Sequence, residues 1–430
     1  METMERRSLS TARWAAGWLL VGLLGAGVGL AGCGGSSGGG GTPPANGDPG
    51  PGGPGDDPGD DPGDDPNESG WVTLGAPIPV GVLHTDVGSR LFADNQGRIY
   101  SLSASTASPP QLNAWVYENE EDGWQDLEPG NIRVDNKRFN PAAAAGDDGF
   151  SMIYHRGPDS RDIAIVHYSV EDGWSTPAVV VPSNVSHGKA RAASAGDVRH
   201  LAMMDGDGAL KIWTLDGAES PGTPLNGPSN ILGINNWDIA ALGNDLGLTW
   251  RAGSPAQLNV GGWSGSEWVT LNGVASPDAM VAVALAVRTS GFYLLRSTGD
   301  WAQGSALSAD VTFVAADCPV SSFLPVTPST ENIHTLPYYE IHVDSEFSPW
   351  VVWVEYQDDP FIDDRARLYV ARGVFVGAAT LEWELVGDGK VIPYDDSIPG
   401  AVSSALIDDV PYVQFRDGGS NLRVMYYQAD

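Results

Sequence analysis

Cysteine is almost missing from this chain: Cys33 and Cys318 are the only two in 430 residues. A multi-disulfide framework is therefore excluded. Basic residues are scarce as well, with 23 Lys and Arg against 55 Asp and Glu and a formal net charge of −32. Beyond residue 69 the balance is 20 basic to 45 acidic residues. A body this acidic repels phosphate backbones, so nucleic acid is excluded as a partner. It also repels anionic lipid headgroups. No long stretch keeps a helical period, which argues against helical bundles. The seven histidines (His84, His155, His167, His187, His200, His334 and His342) are scattered, and no His-Glu-x-x-His run occurs. Their spacing supports no metal site, and no cofactor motif is present. Gly262-Trp263-Ser264-Gly265 reads as part of a hairpin rather than a strand-to-helix nucleophile elbow. No catalytic residue is assigned on these grounds.

What the chain does have begins at its amino end. Arg6, Arg7 and Arg13 precede an apolar run from Trp14 to Leu30, and small residues follow. That is the three-part pattern of an export signal over residues 1–32. A membrane-spanning helix is the rival reading, because the run approaches spanning length. Five glycines thin the run, and it ends on a cysteine rather than on positive charge. Leu30-Ala31-Gly32-Cys33 resembles the lipobox of bacterial lipoproteins. The resemblance implies cleavage before Cys33, lipidation of its thiol and attachment to the bacterial cell envelope. Several acyl chains anchor stably where one is marginal. A lipidated Cys33 leaves Cys318 no partner for an internal disulfide, and Cys318 reads as a small buried side chain. Gly34 stands where an inner-membrane retention signal would have Asp, which points to the outer membrane.

Residues 33–69 collapse to Gly, Pro, Asp, Ser and Asn, with Gly-Asp-Asp-Pro repeated at 55–58, 59–62 and 63–66. Such a segment buries too little apolar surface to offset its ordering entropy. Proline and mutual Asp repulsion make it an extended tether. Calcium ligation by the Asp pairs is disfavoured, since proline interrupts each pair and the alternating ligand spacing is missing.

Residues 70–430 read as all-β: short alternating runs of Val, Ile, Tyr, Trp and Thr between Gly, Asp, Asn and Pro turns. Slid against itself, the chain shows a recurring unit, an apolar run followed by an Asp/Asn/Gly turn and an alternating strand. Copies span residues 91–100, 143–154, 195–203, 241–250, 284–295, 341–353 and 405–415. The intervals of roughly 45 to 65 residues suit a four-stranded propeller blade. An outer strand opening on tryptophan follows several units: Trp124, Trp174, Trp268 and Trp383, with Trp213 and Trp301 the nearest candidates elsewhere. The seventh unit ends after its third strand, whereas Trp71-Val72-Thr73-Leu74 stands alone before the first unit and repeats Trp268-Val269-Thr270-Leu271. The expectation is a β-propeller, resembling bacterial β-propeller proteins in repeat and closure. Seven four-stranded blades are expected, six or eight being the alternatives. The amino-terminal strand would complete the last blade and remove a free edge.

Tryptophans at the repeat position are expected to pack between blades. Four aromatics fall off that register and are the candidate ligand contacts: Trp237, Trp263, Tyr338 and Tyr339. Acid pairs such as Asp147-Asp148, Asp358-Asp359, Asp363-Asp364, Asp395-Asp396 and Asp408-Asp409 read as turn residues. They do not suit a glycosidase, because neighbours on a strand point to opposite faces. The stretch from Gln357 to Asp364 reads as a longer acidic loop on one face. The expected function is a lipid-anchored scaffold that binds an envelope protein or a glycan. The alternative is an exported polysaccharide hydrolase or lyase whose catalytic groups converge from distant blades.

Overall fold

The structure is a computed structural model. It describes residues 70–80, 88–105, 109–135, 141–157, 162–181, 190–195, 198–205, 209–216, 221–228, 231–232, 236–242, 245–263, 266–275, 280–288, 291–298, 308–314, 324–325, 333–359, 362–375, 381–387, 402–417 and 421–429. Cys33, Cys318, Trp301, Asp395 and Asp396 lie outside the described residues, as do the segments read as signal and tether.

Two strands precede the first repeat unit, β1 (Gly70–Thr73) and β2 (Ile78–Pro79). Blade 1 is β3 (Arg90–Ala93), β4 (Ile99–Ala104), β5 (Leu112–Tyr117) and β6 (Trp124–Asp126). Blade 2 is β7 (Ala142–Gly146), β8 (Gly149–Arg156), β9 (Asp162–Ser169), β10 (Gly173–Trp174) and β11 (Ala178–Val181). Blade 3 is β12 (Arg191–Ala195), β13 (Val198–Met204), β14 (Leu210–Asp216) and β15 (Leu225–Asn226). Blade 4 is β16 (Trp237–Leu242), β17 (Asp245–Ala252), β18 (Gln257–Trp263) and β19 (Trp268–Ala275). Blade 5 is β20 (Met280–Arg288), β21 (Gly291–Thr298), β22 (Ser308–Val314) and β23 (Leu324–Pro325). Blade 6 is β24 (Ile333–Val343), β25 (Pro349–Asp359), β26 (Ile362–Phe375) and β27 (Leu381–Leu385). Blade 7 is β28 (Ser403–Ile407), β29 (Val410–Arg416) and β30 (Asn421–Gln428), joined by β1 and β2.

These are seven antiparallel sheets. Their first strands touch in the order β3, β7, β12, β16, β20, β24, β28 and back to β3, so the sheets close a ring around a channel. The fold is a β-propeller. The closure read from Trp71 to Leu74 is present: Gly70 pairs with Gln428, Trp71 with Tyr427, Val72 with Tyr426 and Thr73 with Met425. The Leu74 N–H then donates to the Val424 carbonyl at 2.8 Å.

The core consists of the seams between blades, because each sheet buries both of its faces. Phe92 and Tyr100 of blade 1 meet Phe150 of blade 2 with ring centroids 5.1 Å apart in each case. Ile153, Ile163 and Ile165 of blade 2 pack with Leu201, Met203 and Trp213 of blade 3. Trp213 therefore belongs to a third strand and not, as its place in the repeat suggested, to an outer one. Trp350, Val352 and Val370 of blade 6 pack with Val413 and Phe415 of blade 7.

Three of the repeat-position tryptophans share a hydrogen-bonding task, whereas the indole N–H groups of Trp71 and Trp383 are buried without a partner among the described residues. Trp124 Nε1 donates to the Leu74 carbonyl, Trp174 Nε1 to that of Leu127 and Trp268 Nε1 to that of Asn226, each at 2.9 Å. In every case the acceptor ends the outer strand of the preceding blade. The indole body covers apolar surface while its one polar atom satisfies a strand-end carbonyl. After Leu74, Leu127 and Val386 the chain turns left-handed, at Gly75 (φ 64°), Glu128 (φ 47°) and Gly387 (φ 57°), whereas Gly227 after Asn226 does not. The same indoles crowd these positions. A Cβ on Gly387 would stand 2.6 Å from Trp71 Nε1, and one on Gly75 would stand 3.1 Å from Trp124. Gly387→Ala is thus expected to lower stability by about 3 kcal/mol, from left-handed strain plus overpacking. Glu128→Gly, at the equivalent point of blade 1, is expected to raise it by up to about 1 kcal/mol. Urea unfolding of the two variants checks the opposite signs.

The first-hairpin turns repeat a second device. The Asp94 carboxylate accepts the N–H groups of Gln96 and Arg98, the Arg98 guanidinium and the Tyr100 hydroxyl. Asp344 does the same for Ser348 N, Trp350 Nε1 and Arg372. Second-hairpin turns use Asp205 and Asp417 likewise. Adjacent first-hairpin tips interlock: Asn95 bonds Asp147, and Ser345 bonds Asp409 through both its N–H and its hydroxyl. The acid pairs in these tips are turn and tip-to-tip chemistry. The stretch from Gln357 to Asp364 is also a hairpin rather than an independent loop, since β25 and β26 continue through it and Asp359 pairs with Ile362.

Burial sets one titration. His200 lies on the face of β13 that packs on blade 4, with Nδ1 3.1 Å from Thr214 Oγ1. Burial lowers its pKa from 6.5 to about 4. A histidine held neutral contributes stability that is complete above its unfolded pKa and is lost as pH falls towards the folded one. Roughly 3 kcal/mol is expected to disappear between pH 6.5 and 4. Urea titrations across that range check this, and His200→Gln should flatten the slope.

Candidate functional site

Short strands and tight turns bring the first strand of every blade alongside the channel, and there several charged and polar side chains meet. Arg90 of β3, Arg191 of β12, Asp238 of β16, Glu340 and His342 of β24 and Ser404 of β28 lie at similar heights, a few residues before their first-hairpin turns. At about 3.3 Å per residue this belt sits on the order of 10 Å inside the channel from the turn rim.

Glu340 is its hub. Oε1 takes the Arg90 guanidinium at 2.6 Å, although Arg90 is two blades away around the ring. Oε2 accepts the Ser404 backbone N–H at 2.9 Å and the Ser404 hydroxyl at 2.5 Å. His342 Nε2 is 2.9 Å from the same hydroxyl. Burial alone would push the Glu340 carboxyl up. The Arg90 charge, the His342 ring 3.7 Å away and the bonds from Ser404 reverse this and hold it well below the usual carboxylate range. The second pair is Arg191 with Asp238, at 2.8 Å. Asp238 also accepts the Leu285 N–H of the next blade at 2.8 Å. Here burial wins: the Asp238 pKa is raised, and Arg191, the backbone N–H groups of Leu285 and Ile239, and Arg90 oppose the rise only in part.

These carboxylates clasp neighbouring blades. Each gives an acceptor to a first-strand N–H that faces the channel instead of a sheet partner, Leu285 in one case and Ser404 in the other. Ser403 Oγ does the same for the Leu91 N–H at 2.9 Å between blades 7 and 1. The arrangement does not suit a serine nucleophile. A catalytic serine gives its proton to histidine while the acid orients the opposite ring nitrogen. In this belt the serine hydroxyl donates to the carboxylate directly. The belt remains partly open: side chains of Arg90, Arg191, Glu340 and His342 are 28, 22, 18 and 21% exposed. Two guanidinium groups and two carboxylates leave it near neutrality while offering fixed donors and acceptors.

The aromatics chosen from sequence lie elsewhere. Trp237 is 1% exposed in the seam between blades 3 and 4, with the Arg191 guanidinium 6.0 Å from its ring centre. Tyr339 is 8% exposed in the seam between blades 5 and 6. Both are core residues rather than ligand contacts: Trp237 opens β16 and Tyr339 lies within β24, and each packs into a seam between two blades. Trp263 is half-buried against Trp268, with centroids 5.3 Å apart. Tyr338 lies in β24 where the pairing with β25 shifts register. Trp263 belongs to the third strand of its blade and does not join the belt. No group of three or more metal-ligating side chains occurs among the described residues. Of the belt, only His342 stands among the residues that the sequence singles out. The others come from five blades and share no local motif.

No protein-family model and no curated protein matches the chain. Solved structures do. The BP39L lectin from Burkholderia pseudomallei superposes with a TM-score of 0.56 at 15% identity, over 79% of this chain and 95% of that one. The β-propeller domain of the Trilobed protease from Pyrococcus furiosus, described as having an open velcro topology, gives 0.47 at 6% identity over 80% and 96%. The Aleuria aurantia lectin in complex with alpha-methyl-L-fucoside gives 0.43 at 10% identity over 74% and 100%. The lectin from Burkholderia supports the fold already drawn from the sheets: this chain is a β-propeller protein.

Proposed function

We propose that the chain is a lipid-anchored β-propeller of the bacterial outer membrane that binds a neutral glycan. The observation that carries the binding role is the channel belt: charge-balanced donors and acceptors, contributed by five blades and held by a closed ring. Planar guanidinium and carboxylate groups suit sugar hydroxyls, which both donate and accept. A strongly anionic polymer is disfavoured by the belt's neutrality and by the acidic body. The likeness in fold to a lectin supports the same reading. Attachment rests on Leu30-Ala31-Gly32-Cys33, and residues 33–69 serve as the spacer between lipid and propeller.

Residues 70–430 contain every strand of the ring and are the material for the test. This fragment is expected to bind one or more neutral glycans on an array, with Arg90→Ala and Arg191→Ala weakening binding at least ~10-fold. Release of product from a polysaccharide would replace this reading with the hydrolase or lyase. Binding to no glycan, with stoichiometric capture of one envelope protein by cross-linking in intact cells, would replace it with a protein scaffold. Cys33→Ala is expected to move the full-length protein from the membrane to the aqueous fraction.

A further inference from the structure

The seam between blades 7 and 1 differs from its neighbours. Alternation on β4 directs Tyr100 and Leu102 to blade 2, where Phe150 meets Tyr100, and leaves Ser101 and Ser103 on the face towards blade 7. Leu91 pairs with Ser101, and the Leu91 N–H donates across the seam to Ser403 Oγ. Ser403 in turn pairs with Gln414, whose neighbours of the same parity, Tyr412 and Ala405 opposite it, belong to the core shared with blade 1. Ser101, Ser103, Ser403 and Gln414 therefore face one another across a single seam, and each is 0 or 1% exposed. The hydroxyls of Ser101 and Ser103 and both amide atoms of Gln414 have no hydrogen-bond partner in the protein. The matching layer of the blade 6–blade 7 seam is apolar, built from Val352, Val370, Val413 and Phe415.

A buried polar atom left without a partner costs about 1–3 kcal/mol, and four in one place would consume much of a domain's stability. Native proteins resolve this with internal water, which bonds about three otherwise unmet groups. We propose that this seam is a built site for bound water, bridging the Gln414 amide to the Ser101 and Ser103 hydroxyls. Packed sheets stand ~10 Å apart, so once a glutamine and a serine extend towards each other roughly a water's breadth remains, and a sugar does not fit. The site's chemistry is neutral: the amide supplies two donors and one acceptor, and each hydroxyl supplies one donor and accepts. It sits in the seam that β1 helps to seal, where the ends of the ring meet.

The deciding experiment is a crystal structure of residues 70–430 resolved well enough to show ordered water. Density within hydrogen-bond reach of the Gln414 amide and of Ser101 or Ser103 is expected. Direct bonds from the amide to those hydroxyls, with no intervening density, overturn the proposal. The triple variant Ser101→Ala, Ser103→Ala, Gln414→Leu provides a second readout. It removes every group that holds the water, and its Tm is expected to equal or exceed that of the parent. A fall of more than ~5 °C counts against the proposal as well. If that variant does not fold, the parent structure alone decides.

Discussion

A chain that begins at Ala76 is expected not to fold as a stable monomer. It lacks β1, and with it the pairing of Gly70 through Thr73 with β30. It also loses the Trp71 indole, which packs into the seam between blades 6 and 7 and meets Tyr427 edge-on at 5.6 Å. Leu74 goes as well, taking its side chain from the core of blades 7 and 1 and its carbonyl from Trp124. Deleting one large buried side chain costs about 3–5 kcal/mol, and two together with a strand approach the whole stability of a typical domain. The truncated chain would also expose β30 as an open edge, which invites pairing with other chains. Circular dichroism and size exclusion should report a non-cooperative melt and self-association. A synthetic peptide spanning residues 70–75 should restore a cooperative transition in part, because it supplies the missing strand in trans. A cooperative melt within a few degrees of the intact 70–430 fragment would show that β1 is an accessory and not the closure.

That experiment bears on how much of the fold could be read before the structure. The repeat was legible because each blade must solve the same local problems. An Asp or Gly has to turn the first hairpin, and an indole has to cover the strand end of the blade before it. Asp94 and Asp344 fill the first role with nearly the same bonds. Trp124, Trp174 and Trp268 fill the second at one distance. Closure was legible because Trp71 carries that outer-strand signature without a blade of its own. The candidate site was not. Arg90 and Glu340 are 250 residues apart in sequence, and only the ring brings them to 2.6 Å. No spacing rule links residues whose meeting depends on how many blades lie between them. Aromatic side chains misled for the complementary reason. Trp237 and Tyr339 fall outside the tryptophan register, yet the seams that hold them take large side chains from several registers, so irregular placement does not signal exposure.

Glu340→Gln is expected to have the next largest effect. It keeps the size of the side chain and an acceptor for the Ser404 N–H, and it removes the charge that meets Arg90. Breaking a substantially buried ion pair from one side costs about 3 kcal/mol or more, because the remaining guanidinium is left poorly compensated. Charge also fixes the pH dependence. The Glu340 carboxyl is held below its ordinary value of 4.5, so its contribution is complete above that value and is lost as pH falls towards the depressed folded one. Unfolding by urea at pH 7 and at pH 4 separates the two proteins. Wild type should lose stability over this interval chiefly through His200, since Glu340 stays ionised in the fold. Glu340→Gln should begin lower and fall in parallel, and the two curves should converge only at more acid pH. The pair Arg90→Met with Glu340→Leu then tells what the ion pair is for. If the double variant recovers most of the loss while glycan binding disappears, the belt's charges serve recognition, and the ring holds itself together by its seams. If the double variant is as unstable as Glu340→Gln, the Ser404 bonds to this carboxylate are what keep blade 6 against blade 7, and the belt is first of all a clasp.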